Sequence, residues 1–124
     1  MPIKHYDWSA YHANVRPHKV AIKDLSAKKE LTFLDLDRRA NKLAAWLQRQ
    51  GVAKGDRVAI LSQNCPEFFE LEFACAKIGA VQLPLNWRLT KPELEYILRD
   101  SEPSVLIYDE TFSEVSTALL IDCG

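Results

Sequence analysis

The alternation of apolar and polar residues divides the chain into segments of helical spacing and short apolar runs. Helical spacing is clearest over residues 36–47, where one face collects apolar side chains and the other collects arginine, lysine and glutamine. Runs at 58–61, 80–85 and 105–108 are almost entirely apolar and have the length of strands covered on both faces. The pattern therefore predicts helices that alternate with buried strands. The apolar face of the first helix consists of Leu36, Ala40, Leu43, Ala44 and Leu47.

Two of the predicted helices begin with the same capping pattern. Thr32 precedes Asp35 by three residues, and Thr90 precedes Glu93 by the same distance. In a capping box the threonine side chain accepts a backbone N–H of the first turn, and the acidic side chain accepts the N–H of the threonine. We therefore expect capping boxes at both positions.

A helix predicted over residues 66–78 has a clear start and a clear end. Asn64 or Cys65 is its predicted cap, and Pro66 occupies its first turn, where the missing N–H costs little. Its many apolar residues predict a helix that packs on two sides. Gly79 is expected to end it in a left-handed conformation, and Gly51 to end the preceding helix in the same way.

Weaker patterns flank this central part. Residues 7–15 predict a short helix capped by Asp7. Residues 19–24 and 30–33 alternate in polarity and predict two short strands, joined as a hairpin at an edge of the sheet. Residues 111–121 predict a last helix. Its apolar face would consist of Phe112, Val115 and Leu119.

From residue 57 to residue 108 the predicted order is strand, helix, strand, helix, strand. Crossover helices of this kind enforce parallel pairing with right-handed connections. The sequence therefore predicts an α/β fold: an open parallel sheet with flanking helices, plus a short edge hairpin. No internal repeat or long linker divides the chain, so residues 1–124 are expected to form one structural unit.

Composition narrows the classes of function. Hydrophobic residues make up 48% of the 124 residues, and the formal net charge is −1 without long runs of one sign, which argues against a nucleic-acid-binding face. The polar start, with Lys4 and Asp7, predicts no signal peptide, and no apolar run has the length expected of a membrane span. A cytoplasmic location is expected. The three cysteines, Cys65, Cys75 and Cys123, form no C-x-x-C pair and are expected to be reduced.

Few residues suggest chemistry of their own. The stretch Gly51 to Asp56 resembles a phosphate-binding loop, but it follows a helix and precedes a strand, which is the reverse of the required order, so a helix stop and turn is predicted. Cys65 at a helix start is a conceivable nucleophile, because a thiol there can have a lowered pKa. No motif supplies it with a histidine base, and capping or packing is the prediction.

The histidines and carboxylates of the sequence give little support for a metal site or for acid–base catalysis. His12 and His18 could join Cys65 or Asp56 around a metal, but neither they nor His5 show metal-ligand spacing, and surface or packing roles are predicted. Three carboxylates at one helix start are interpreted as solvated or dipole-matched groups. They are Glu67, Glu70 and Glu72. Trp8, Trp46 and Trp87 are dispersed and predict no base-stacking platform.

Two stretches resemble the first two motifs of the acyl-adenylate-forming enzymes: residues 31–36 (LTFLDL) and 76–86 (AKIGAVQLPLN). Residues 54–60, 64–68 and 84–90 are similar to fatty-acid and related carboxylate CoA ligases. The resemblance implies the amino-terminal subdomain of an acyl-CoA synthetase. Such enzymes use ATP and magnesium to activate a carboxylic acid as an acyl-adenylate and then transfer the acyl group to coenzyme A.

The motifs that hold ATP and perform the chemistry in that family have no counterpart in this chain. The resemblance therefore assigns no catalytic, cofactor-binding or metal-binding residue here, and Thr32, Asp35 and Gly79 are expected to belong to the scaffold. We therefore expect residues 1–124 to be the part of a ligase that precedes the phosphate loop. As an isolated chain it is expected to bind no cofactor and to be inactive. Its expected partner is the remainder of a ligase or a second copy.

Two other interpretations remain open at this point. One is a self-sufficient, non-catalytic α/β binding or interaction module. The other is a flavodoxin-like nucleotide binder, which needs a phosphate loop after Leu61 or Leu85, and residues 62–66 supply only a poor one.

Overall fold

The computed structural model describes residues 7–123, which form five α-helices, five β-strands and one turn of 3-10 helix at Glu110–Phe112. The predicted alternation of helix and strand is confirmed. In chain order the elements are α1 (Trp8–Val15), β1 (Val20–Asp24), β2 (Lys29–Thr32), α2 (Phe33–Arg49), β3 (Arg57–Leu61), α3 (Pro66–Ile78), β4 (Val81–Leu85), α4 (Lys91–Ser101), β5 (Val105–Tyr108) and α5 (Ser113–Cys123).

The sheet is parallel, as predicted, and β3 lies at its centre in the order β4-β3-β5. Alternate residues of β3 face opposite sides. Val58 and Ile60 pack in a core with residues of α2 and α3, whereas Ala59 and Leu61 pack in a second core with residues of α4 and α5. Helices therefore cover both faces of the sheet, and the apolar run of β3 is buried throughout.

The flanking strands are less covered than their apolar sequences predict. In β4, Val81 is half exposed and Pro84 is exposed, and the residues of β5 are half-buried or exposed. Both strands lie at edges of the three-stranded sheet, where the flanking helices cover them less completely than they cover β3. The expectation that all three strands are covered on both faces is therefore correct only for β3.

Helix α2 begins and ends as its sequence predicts. Thr32 Oγ1 accepts the N–H of Asp35 at 3.1 Å, and Asp35 accepts the N–H of Thr32 at 3.0 Å, which completes the capping box. These hydrogen bonds from Thr32 lower the pKa of Asp35. At the other end Gly51, with φ of 88°, allows Val52 to donate to the carbonyl of Leu47 at 3.1 Å.

Helices α3 and α4 fit the predictions in part. Cys65 and Pro66 start α3, which packs between α2 and the sheet, and Gly79 ends it with φ of 75°. The capping box predicted at Thr90 is wrong, because the Thr90 side chain makes no capping hydrogen bond. Pro92 in the first turn removes one alternative donor, and the N–H of Glu93, which the box would use, is not bonded to the threonine either.

The amino-terminal elements lie against α2. The hairpin predicted from residues 19–33 is confirmed: β1 and β2 pair as a two-stranded antiparallel sheet of their own, next to the three-stranded parallel sheet β4-β3-β5. It is joined to α2 directly, because the N–H of Phe33 donates to the carbonyl of Lys19. Asp7 caps α1, as predicted. His5 lies outside the described residues. Between residues 7 and 123, no helix combines the length and apolarity that crossing a membrane requires.

Candidate functional site

The carboxyl ends of β3, β4 and β5 meet at one edge of the sheet, where parallel α/β folds usually bind their ligands. Ser62 follows β3, Asn86 follows β4 and Asp109 follows β5. Each polar side chain is engaged within its own loop: Ser62 Oγ donates to the carbonyl of Gln63 at 2.9 Å, and Asn86 Oδ1 accepts the N–H of Arg88 at 3.0 Å. Among the described residues, the side chains of Ser62 and Asn86 are therefore held by their own loops.

Asp109 has the same local role in the third loop. Its carboxylate accepts the N–H of Thr111 at 2.8 Å and caps the 3-10 turn. Hydrogen bonds from Thr111 lower the pKa of Asp109. The side chain is a negatively charged cap at neutral pH, and this carboxylate has the wrong sign for holding a phosphate.

Cys65 lies at this edge but has no thiolate character. Its Sγ is 3.6 Å from Ser62 Oγ, and burial raises the pKa of the Cys65 thiol. Burial also raises the pKa of Cys75 to about 11. Because the thiolate is the reactive form, the raised pKa disfavours reaction at both cysteines. The structure agrees with a packing role for Cys65.

The histidines are placed apart from this edge. His12, on α1, packs its ring 4.9 Å from that of Phe33 and 5.1 Å from that of Tyr11, and His18 is exposed between α1 and β1. Asp56 accepts the N–H of Ala53 at 2.7 Å. Within the described part of the chain, histidine, cysteine and acidic side chains form no group of three or more that could hold a metal ion.

The acidic cluster of α3 divides into two kinds of residue. Glu67 and Glu72 are exposed, as predicted. Glu70 is buried, which contradicts its interpretation as a solvated group, and its Oε1 lies 2.5 Å from Nε of Arg39 on α2. Sequence spacing along α3 could not reveal this ion pair, because Arg39 belongs to another helix.

The ammonium of Lys77 is a second charged group that is largely withdrawn from solvent. Its Nζ lies 2.7 Å from Oδ1 of Asp37 and 2.8 Å from Oδ1 of Asp7, and Ser9 donates to the same Asp37 oxygen at 2.9 Å. Burial by itself lowers the pKa of Lys77, but the hydrogen bonds to Asp37 and Asp7 outweigh it and raise the pKa overall. A lysine that stays protonated is neither a nucleophile nor a base.

This cluster joins three helices. Asp7 caps α1, Asp37 lies in the first turns of α2 and Lys77 lies in the last turn of α3, where a positive charge also suits the helix dipole. The helical pattern of α3 does not reveal the partners of Lys77, because Asp7 and Asp37 belong to other segments of the chain. The cluster fixes the helix layer in place and does not form a reaction centre.

The glycine-bearing loop is a helix stop and turn, as predicted. Gly51 and Gly55 have φ of 88° and 87°. The N–H of Gly55 donates to the carbonyl of Gly79 at 2.8 Å, so this donor faces the protein. The loop joins the end of α2 to β3 and leads into no helix.

Comparison with known proteins gives a consistent result. The family described as AMP-binding enzyme matches residues 9–122. Feruloyl-CoA synthase of an Amycolatopsis species is 43% identical over 112 residues, which cover 90% of this chain and 22% of that protein. Long-chain-fatty-acid–CoA ligase FadD13 of Mycobacterium tuberculosis is 40% identical over 107 residues, which cover 86% of this chain and 21% of that protein.

A solved structure shows the same arrangement. The amino-terminal domain of FACL13 from Mycobacterium tuberculosis superposes with a TM-score of 0.87 at 38% sequence identity. The match covers 94% of this chain and 29% of that domain. The chain thus spans about a fifth of the length of the curated relatives it matches and under a third of the solved FACL13 domain.

Proposed function

Because this chain belongs to the AMP-binding enzyme family and spans about a fifth of its curated relatives, we propose that it is the amino-terminal scaffold of an acyl-CoA synthetase. The whole enzyme would use ATP and magnesium to convert a carboxylic acid to an acyl-adenylate and then to a coenzyme A thioester. The match over residues 9–122, combined with this coverage, carries the proposal.

The helix starts at the ligand-binding edge do not suit a triphosphate. At α3, Pro66 offers no N–H and Glu67 brings a negative charge to the first turn. At α4, Pro92 removes a second donor, and the ammonium of Lys91 is held by Glu95 and Asp122, which raise its pKa. We therefore place ATP binding in the remainder of the ligase and assign this chain no catalytic step.

The choice of acid would also lie elsewhere in the ligase. The similar proteins carry names that refer to ferulate, indoleacetate and long-chain fatty acids, although each shares 40–43% identity with this chain. One scaffold sequence is therefore compatible with aromatic and long aliphatic acids. We propose that this part sets the position of the helices around the sheet and leaves acid specificity to the rest of the polypeptide.

Two measurements on purified proteins test this function. The isolated chain, incubated with ATP, magnesium and a panel of carboxylic acids, should release no more pyrophosphate than a heat-killed control, because residues 7–123 offer no preorganised set of groups for developing phosphate charge. A chimera in which this chain replaces the matched 112 residues of the Amycolatopsis feruloyl-CoA synthase should form feruloyl-CoA.

The two results have separate meanings. Pyrophosphate release by the isolated chain would disprove its proposed inactivity. A folded chimera without feruloyl-CoA formation would argue against the scaffold role and for the self-sufficient binding module. The matched control is the relative's own amino-terminal segment, reinserted through the same junctions.

A further inference from the structure

Charged residues are distributed unequally along the chain. Residues 1–57 contain 12 lysines and arginines and 6 aspartates and glutamates, whereas residues 58–124 contain 4 and 11. The net charge of −1 is therefore the sum of two segments of opposite charge. Helix α2 belongs to the first segment and α5 to the second, and the two helices pack in the cores on opposite faces of the sheet.

The outer face of α2 is basic. Arg38, Lys42 and Arg49 are exposed at spacings of four and seven residues, so they lie along one side of the helix. The exposed Ala45 lies on the same side, and Trp46, which is 38% exposed, borders it. In the described part of the chain, none of these three cations forms an ion pair.

The outer face of α5 has the opposite charge. Glu114, Thr117 and Ile121 are exposed at spacings of three and four residues, and Glu110 lies one turn before them, in the 3-10 turn that leads into α5. Neither glutamate forms an ion pair with another described residue. The Thr117 hydroxyl already donates to the carbonyl of Ser113 at 2.8 Å, so it needs no other partner.

The two faces match when the helices lie parallel. The same spacing on both then brings together residues of opposite charge and residues of small size. The pairs are Arg38 with Glu110, Lys42 with Glu114, and Ala45 with Thr117. One turn further, Trp46 and the aliphatic part of Arg49 lie beside Ile121. An antiparallel arrangement of the same faces keeps a single charge pair, so the parallel one is favoured.

These faces can meet only between two molecules. Within one chain the sheet separates them, because α2 packs over Val58 and Ile60 and α5 packs near Ala59 and Leu61. A symmetric contact of α2 with α2 would bring like charges together, which is unfavourable. The complementary contact is therefore head-to-tail, with α2 of one copy against α5 of the next.

We infer that the exposed face of α2 binds α5 of a second copy of this chain, through two charge pairs and the contact of Trp46 with Ile121. The contact uses only residues of this chain and does not rest on the ligase assignment. Exposed charge pairs contribute modestly, so the association is weak and depends on concentration. Because each copy offers both faces, the copies either close into a ring or extend as a row.

Charge reversal tests this contact in the isolated chain, with analytical ultracentrifugation as the measurement. Lys42→Glu brings two glutamates together, and Glu114→Lys brings two lysines together, so each should weaken association by about tenfold or more. Lys28→Glu makes the same change of charge at an exposed position in the hairpin turn and should have no effect. Circular dichroism checks that each variant is folded.

The two weakened variants should restore each other. In their mixture, the unaltered α2 of the Glu114→Lys chain meets the unaltered α5 of the Lys42→Glu chain. In the combined variant Lys42→Glu/Glu114→Lys, the pair is present with its signs exchanged. Both preparations should associate within about threefold of the wild type, because the loss in each single variant comes from the pair and not from either residue alone.

Salt provides an independent test. Raising the salt concentration from about 0.05 M to about 0.5 M should weaken the association by roughly tenfold, because ions screen charges at a surface. Association that salt leaves unchanged would overturn the inference. So would wild-type association of both single variants, a mixture that stays dispersed, or an equal loss from Lys28→Glu.

Other occupants of the α2 face give different results. Binding to phosphatidylglycerol vesicles that Lys42→Glu abolishes, with self-association unchanged, would assign the face to a lipid surface. Loss of feruloyl-CoA formation in a chimera that carries Lys42→Glu would assign it to the remainder of the ligase. Either result would overturn the assignment to a second copy.

Discussion

Gly79 ends helix α3 in a left-handed conformation and lets the chain turn into strand β4. Its φ is 75°, a region that L-amino acids with a side chain seldom adopt. A Cβ placed here would lie 2.9 Å from Cγ of Lys54. That neighbour is a flexible side chain, so the contact can be relieved, whereas the backbone conformation cannot be changed without moving β4.

We expect Gly79→Val to be less stable than Gly79→Asn by about 1–2 kcal/mol, because a β-branched residue is strained in the left-handed region and asparagine tolerates it. Urea unfolding monitored by circular dichroism measures the difference. Repeating both substitutions in a Lys54→Ala background removes the side-chain contact. Equal stability of the two variants would show that the backbone conformation does not limit this position.

At the scale of elements, the Lys77 cluster holds the three helices α1, α2 and α3 together. Helix α1 packs against α2 and adds no residue to the sheet cores, so the ion pairs of Asp7 and Asp37 with Lys77 are a main part of its attachment. Only 10% of the Lys77 side chain is exposed. Water therefore screens these pairs less than it screens pairs at the surface.

We expect Lys77→Met to destabilise the chain by roughly 2–4 kcal/mol, because it leaves the two partly buried carboxylates of Asp7 and Asp37 close together without a positive charge. Lys23→Met is the matched control: Lys23 pairs with Glu30 at 3.6 Å and is mostly exposed. Its loss should cost less than about 0.5 kcal/mol. Thermal unfolding of both variants tests this, and similar losses would contradict the importance given to the cluster.

The order of these elements could be predicted from the sequence because each signal is local. Thr32 and Asp35 are three residues apart, Gly79 follows directly after its helix, and the apolar run of β3 is continuous. The charged pairs could not be predicted, because a helical pattern shows which face is polar but not which other helix meets it. Asp37 and Lys77 are 40 residues apart, and Glu70 has its partner on α2.

The same limit explains the error about the coverage of β4. Apolar sequence indicates that a strand can be buried on both faces, but its position at the centre or the edge depends on how many strands follow and in what order. The residues of β3 and β4 look alike in this respect, and only the register shows that Pro84 faces an open edge. The sequence also did not predict the state of the loops at the carboxyl ends of the strands. The side chains of Ser62 and Asn86 are held there by local hydrogen bonds.

At the scale of the whole molecule, several large apolar side chains remain exposed, as expected if the remainder of a ligase packs against this part. The side chains of Leu120, Ile121, Phe69 and Val81 are exposed, and Ile121 is 76% exposed. The net charge of −1 provides little repulsion between copies. Exposed apolar surface next to an unpaired sheet edge promotes association of protein chains.

We expect the isolated chain to self-associate as its concentration rises and the feruloyl-CoA synthase chimera to remain dispersed, because the remainder of the ligase covers this surface. Light scattering and binding of a hydrophobic dye measure both states. Ile121→Lys should weaken the association, whereas Leu25→Lys should not, since Leu25 is 84% exposed but lies alone in the hairpin turn. A monomer that binds no dye at high concentration would instead favour the self-sufficient module.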